Sequence, residues 1–82
     1  MNDQELLSRI STTSTILVGK PVIRGTRLSV EHILNLMAHG ATFEDVMTEY
    51  RGIQLEDIHA CLLFATKMIE SEMFLPLGVE GK

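Results

Sequence analysis

Residues Ser29 to Gly52 read SVEHILNLMAHGATFEDVMTEYRG, and this stretch decides the fold class. Ser29 is a favourable N-cap because its hydroxyl can accept from an otherwise unpaired amide of the first turn. At 100° per residue, Val30, Ile33, Leu34 and Met37 share one face, with Glu31, Asn35 and His39 opposite. Gly40 supplies a left-handed stop. Thr42 then caps a second helix, with Asp45 three residues on as a short relative of the capping-box glutamate. Phe43, Val46, Met47 and Tyr50 form its apolar face, and Gly52 closes it. The pattern predicts two short amphipathic helices joined by a tight turn.

Downstream, the spacing predicts a third helix from about Leu55 to about Glu72, ended before Pro76, which cannot continue a helix. Leu55, Ile58, Leu62, Ala65 and Ile69 read as its core stripe. Cys61, Phe64 and Met68 widen the apolar arc to about half the circumference, more than a three-helix domain usually buries. The surplus points to a contact with another chain, most simply a homodimer, or with the N-terminal ribbon. Beyond it, Met73-Phe74-Leu75-Pro76-Leu77 is an apolar tail that either folds back over the bundle or docks into a partner's groove. Cys61, Phe64, Met68, Phe74, Leu75 and Leu77 are therefore the candidate partner-binding residues.

Upstream, Asp3 is expected to cap a short helical turn through Leu6, Leu7 and Ile10, stopped by the polar run Ser11–Thr15. Ile16-Leu17-Val18 and Val22-Ile23 are β-favouring runs separated by Gly19-Lys20-Pro21. They predict a small β-element outside the core. The fold expected is mainly α, a trihelical helix-turn-helix-like bundle with a small N-terminal β-element. Its expected parts are an N-terminal arm and β-element over 1–28, a three-helix domain over 29–72 and a tail over 73–82.

The chain has 82 residues, 22% of them charged, and a net charge of −4. That length holds one domain and leaves a monomer marginal, since small domains bury proportionally less surface. Without a long apolar run or a basic, apolar leader, the expected location is cytoplasmic. Cys61 is the single cysteine, so no internal disulfide or cysteine-rich metal site is expected. The charge is uneven: Leu6 to Val30 carries Arg9, Lys20, Arg24 and Arg27 with no acid, whereas Glu31 to Lys82 carries nine acids against Arg51, Lys67 and Lys82. A basic third on an acidic body suits nucleic acid or an acidic partner, or simply solubilises the chain.

Catalytic signatures are missing. His32 and His39 stand two turns apart, too far to share an ion, and the histidine spacings match no zinc signature. Glu56 and Asp57 point about 100° apart on a helix and read as complements to its dipole. Cys61, on an apolar face, reads as an inert packing residue. No enzyme, cofactor or metal is expected. If the domain binds DNA, the third helix would present Gln54, Glu56, Asp57 and His59 to the major groove. Gln54 could read adenine, but phosphates repel the two acids. The strip Lys20, Arg24, Thr26 and Arg27 is then the better contact, joined by Gln54 and His59.

The run Gly19-Lys20-Pro21-Val22-Ile23-Arg24-Gly25-Thr26-Arg27-Leu28-Ser29-Val30 resembles the G-x-P-x-I-x-G-T-R-[IL]-x-V signature of the domain of unknown function family 433. Gly40, Tyr50 and Glu56-Asp57-Ile58 match its later landmarks, so the resemblance spans about Arg9 to Glu72. Two positions depart from it: Arg51 stands where the family usually has proline, and Gln54 where it usually has a serine or threonine cap. The resemblance implies a homeodomain-like trihelical fold, often dimeric. It also implies an antitoxin that sequesters a PIN-like ribonuclease toxin encoded beside it and represses its own operon. The alternative is an oligomerising structural or interaction domain without a nucleic-acid role. Within the signature, Gly25 would permit a positive φ and Thr26 would bond within the turn. Arg27 would reach Glu31 or the acids of the third helix, or else a phosphate or a partner.

Overall fold

The computed structural model describes residues 1–12 and 19–71. The elements in chain order are α1 (Asp3–Leu7), β1 (Ile10–Ser11), β2 (Val22–Ile23), α2 (Val30–Ala38), α3 (Phe43–Glu49) and α4 (Leu55–Ser71). The protein is thus mainly helical, with a small two-stranded antiparallel sheet near its N-terminus.

The local stop and start signals act as the sequence predicts. The Ser29 side chain accepts from the His32 amide at 2.9 Å to open α2. Gly40 sits at φ 105° after its end, a backbone geometry that costs other residues a steric penalty. Thr42 and Asp45 form a reciprocal capping box, with Asp45 N–H donating to Thr42 Oγ1 at 3.0 Å and Thr42 N–H to Asp45 Oδ2 at 2.9 Å. Two paired amides at one helix end explain how a helix of only seven residues starts cleanly.

The N-terminal segment differs from expectation. Asn2, not Asp3, caps α1, and it does so through a full capping box with Glu5. Ile10 leaves the helix and pairs with Ile23 in the sheet, while Ser11 pairs with Val22. The expected strand at Ile16-Leu17-Val18 lies outside the described residues. Nor is the β-element peripheral: Ile10, Val22 and Ile23 are 6%, 2% and 2% exposed. Ile10 and Ile23 share one apolar cluster with Val30, Ile33, Val46, Ile53, Ile58, Ala60 and Cys61. The first 28 residues and the helices therefore draw on a single core, with α1 laid along α4.

Helix α4 is rotated relative to the predicted stripe. Its buried residues are Asp57, Ile58, Ala60 and Cys61, with Phe64 packed against the core. Leu55, Leu62 and Ile69 are 39%, 37% and 57% exposed. The seven-residue spacing is real, but contacts from α1, β1, α2 and α3 pull the neighbouring face inward.

Candidate functional site

Two surfaces hold the side chains singled out above: a polar cluster where α1, β2 and the start of α4 meet, and an apolar trough along α4.

The polar cluster is built around Asp57, which is 7% exposed. One Asp57 oxygen accepts from Arg9 Nη1 at 2.9 Å, and the other accepts from the Gln54 amide at 2.8 Å. The same Arg9 nitrogen donates to Gln54 Oε1 at 3.1 Å. Asp57 therefore closes the first turn of α4 from its third position while neutralising an arginine 48 residues distant. It is not a solvated dipole complement, because burial and two charge-assisted bonds make it part of the frame. Arg24 Nε donates to the Ser8 carbonyl at 2.9 Å, and its backbone N–H donates to the Arg9 carbonyl at 2.8 Å. Glu5, Ser8, Arg9, Arg24 and Asp57 line an open cleft of about 420 Å³ here.

The Gly-Thr-Arg turn closes on itself. Gly25 has φ 83°. Thr26 Oγ1 donates to the Ile23 carbonyl at 2.7 Å and accepts from the Leu28 amide at 3.0 Å, as the turn reading expects. The Val30 amide donates to the Pro21 carbonyl at 3.0 Å, tying the base of the loop to α2. Two of the acids expected for Arg27, Glu31 and Asp57, are engaged elsewhere. Lys20 pairs with Glu31 at 3.1 Å and Arg9 with Asp57. Arg27 itself is exposed.

The nucleic-acid candidates are thus unequal. Arg27 presents its charge to solvent and Lys20 is exposed but paired with Glu31, whereas Arg24 is bound to main chain, Thr26 belongs to the turn and Gln54 is held by Arg9. His59 packs edge-on against Phe43, with ring centroids 5.7 Å apart. Arg9 went unrecognised as a functional position, since nothing local in the sequence pairs it with Asp57. His32 Nε2 and the Tyr50 hydroxyl share a hydrogen bond of 2.9 Å that links the first turn of α2 to the end of α3. No group of three metal-ligating side chains occurs among the described residues, and none of their helices is long and apolar enough to cross a membrane.

The apolar trough contains two of the partner-binding candidates. Phe64 is half-buried and Met68 is 46% exposed. They divide two open hollows: one of about 560 Å³ lined also by Leu7, Ile10 and Thr12, the other of about 570 Å³ lined by Pro21, Val30, Leu34, Ala38 and Ala65. Cys61 does not belong to this surface. It is fully buried, and burial, helped by the nearby Asp57 charge, pushes its thiol up to about 12. The thiol stays protonated and packs as a small apolar group. Phe74, Leu75 and Leu77 lie outside the described residues.

Residues 10–65 match the family described as a protein of unknown function (DUF433), more than half of the chain. The chain belongs to the DUF433 family. The match runs from β1 through Ala65 and so contains the Gly-Thr-Arg turn, Gln54 and Asp57. Arg9, Met68 and Ile69 fall outside it. No curated protein and no solved structure matches this DUF433 chain.

Proposed function

We propose that this DUF433 protein is a non-enzymatic regulator of the antitoxin type, dimeric, which neutralises a PIN-like ribonuclease encoded beside it. The observation that carries this reading is the apolar trough around Phe64 and Met68, open among the described residues. Open apolar concavities rimmed by polar residues are the kind of surface that receives a partner's helix or tail. The polar groups support a non-enzymatic role, because they are committed to structure: Asp57 to Arg9 and Gln54, Arg24 to carbonyls, His32 to Tyr50. In the same reading, operator contact falls to the exposed Arg27 and Lys20 and is doubled by the dimer.

The test is growth rescue. Expressing the neighbouring ribonuclease alone arrests growth, and co-expressing this chain relieves the arrest. Met68→Glu, placed on an exposed residue so that the fold survives, abolishes relief. A Met68→Glu variant that rescues as well as the wild type removes the trough from the reading. Relief by neither form leaves the oligomerising interaction domain as the function. That alternative is favoured by one feature: the start of α4, where a DNA reader would present its side chains, is acidic and has Gln54 and Asp57 already engaged.

A further inference from the structure

The ladder that pairs Ile10 with Ile23 and Ser11 with Val22 sets Arg9 opposite Arg24 one step further out, and the Arg24 amide donates to the Arg9 carbonyl at 2.8 Å. Directly opposite residues stand about 5 Å apart at Cβ, and like charges there are destabilising. An acid compensates one of the two. Arg9 is paired with Asp57 at 2.9 Å, whereas Arg24 makes no ion pair among the described residues. Its Nε and Nη2 donate to the carbonyls of Ser8 and Ile10, at 2.9 and 3.5 Å, which leaves Nη1 without a partner among those residues. Both guanidinium groups line the open cleft of about 420 Å³, together with Ser8 and Glu5. Glu5 accepts from the Asn2 amide at 3.1 Å and pairs with neither arginine.

We infer that this cleft receives a phosphate group, with Arg24 as its principal donor and Arg9 as the second. Three features select a phosphate. Arg24 carries a positive charge that no acid among the described residues pairs with, and a bound anion relieves its apposition to Arg9. Each guanidinium is already fixed through other atoms, Arg9 by Asp57 and Gln54 and Arg24 by main chain, so binding freezes little further side-chain freedom. Two forks reaching in from opposite strands suit a tetrahedral group better than a planar carboxylate, because phosphate oxygens point in several directions and can accept from both. The site shares no lining residue with the trough, so it stands independently of the antitoxin reading.

The experiment is a titration of the purified full chain with inorganic phosphate at fixed ionic strength, read by the NMR signals of the arginine Nε–H groups and of the Arg24 amide. Helicity and melting of each variant are followed by circular dichroism. The wild type is expected to show saturable shifts at Arg24 and Arg9, in the millimolar range or tighter. Arg24→Gln should weaken binding at least about tenfold, the loss of a charge-assisted hydrogen bond. Arg24→Lys, which keeps the charge but not the fork, should recover only part of it, and Arg27→Gln, outside the cleft, should change nothing. A wild-type titration that fails to saturate by tens of millimolar overturns the site. So does Arg24→Gln binding as tightly as the wild type, or Arg27→Gln losing as much, which would mean general surface charge. Repeating the titration with a nucleoside monophosphate and with a short DNA duplex separates the sources of the phosphate. A gain over inorganic phosphate that Arg24→Gln removes names the source, and equal affinities point to free phosphate. A gain that survives Arg24→Gln counts against the cleft.

Discussion

The starts of α3 and α4 solve the same problem in different ways. Each must satisfy first-turn amides that have no partner within the helix. At α3 the answer is local: Thr42 and Asp45, three residues apart, satisfy each other's main chain. At α4 the capping position is Gln54, whose side chain turns to Arg9 instead of its own helix. Asp57 reaches back to the Gln54 amide, and its second oxygen is occupied by Arg9 from the far end of the chain. The first helix start draws its cap from residues only three apart. The second is complete only when residues 9 and 57 have been brought together, so it doubles as a clasp between α1 and α4.

The contrast can be broken most severely at Asp57. Asp57→Ala removes the cap bond and strands the Arg9 guanidinium at once, and urea denaturation should show a loss of about 3 kcal/mol. A loss under 1 kcal/mol would mean the clasp is ornamental. The second effect concerns Cys61, buried in the same helix. Its folded thiol titrates near 12 against 9.0 when free, so above pH 9 the unfolded chain sheds a proton that the folded chain keeps. Stability therefore falls as pH rises, by about 2 kcal/mol at pH 11. Cys61→Ala, weaker at neutral pH because of the cavity, should lose less between pH 9 and 11; identical slopes would refute the assignment.

Smaller changes sharpen the comparison. Arg9→Ala leaves the Gln54–Asp57 bond in place and should cost about 1–2 kcal/mol. A double-mutant cycle with Asp57→Ala should return a coupling above about 0.5 kcal/mol, and additivity would show that the two residues act separately. Thr42→Ala should cost about 1 kcal/mol, with Thr42→Ser recovering most of it and no coupling to Arg9. Least affected is Lys20→Ala, since the Lys20–Glu31 pair is exposed on both sides; its unfolding midpoint should shift by no more than about 0.5 kcal/mol equivalent.

Much of the helical part was legible because its signals are local. Ser29, Gly40, the Thr42–Asp45 box and the turn bonds of Thr26 depend on residues a few positions apart, and the structure places them as expected. The cap at Asn2 was equally local, and the spacing to Glu5 could have revealed it, but Asp3 is as good a cap by type. The β1 strand offered no such signal. Two residues carry no readable alternation, and Ile10 finds Ile23 only through the tertiary fold. At the candidate site, exposed Met68 and half-buried Phe64 were legible as surplus apolar surface, whereas Cys61, of the same character, went to the core.

The sequence by itself determined where helices begin and stop, which residues are apolar and how they repeat, because capping, glycine geometry and periodicity act over three to seven residues. Only the tertiary structure decided which side of α4 faces inward. An apolar arc covering half a helix can be buried at several rotations, and the choice fell to the surfaces offered by α1, β1, α2 and α3. That rotation buried Cys61 and Asp57, left Leu55, Leu62 and Ile69 in solvent, and gave Arg9 its partner. Contacts between distant residues carry no mark in the local pattern, since each gains its energy only when the whole chain has closed around it.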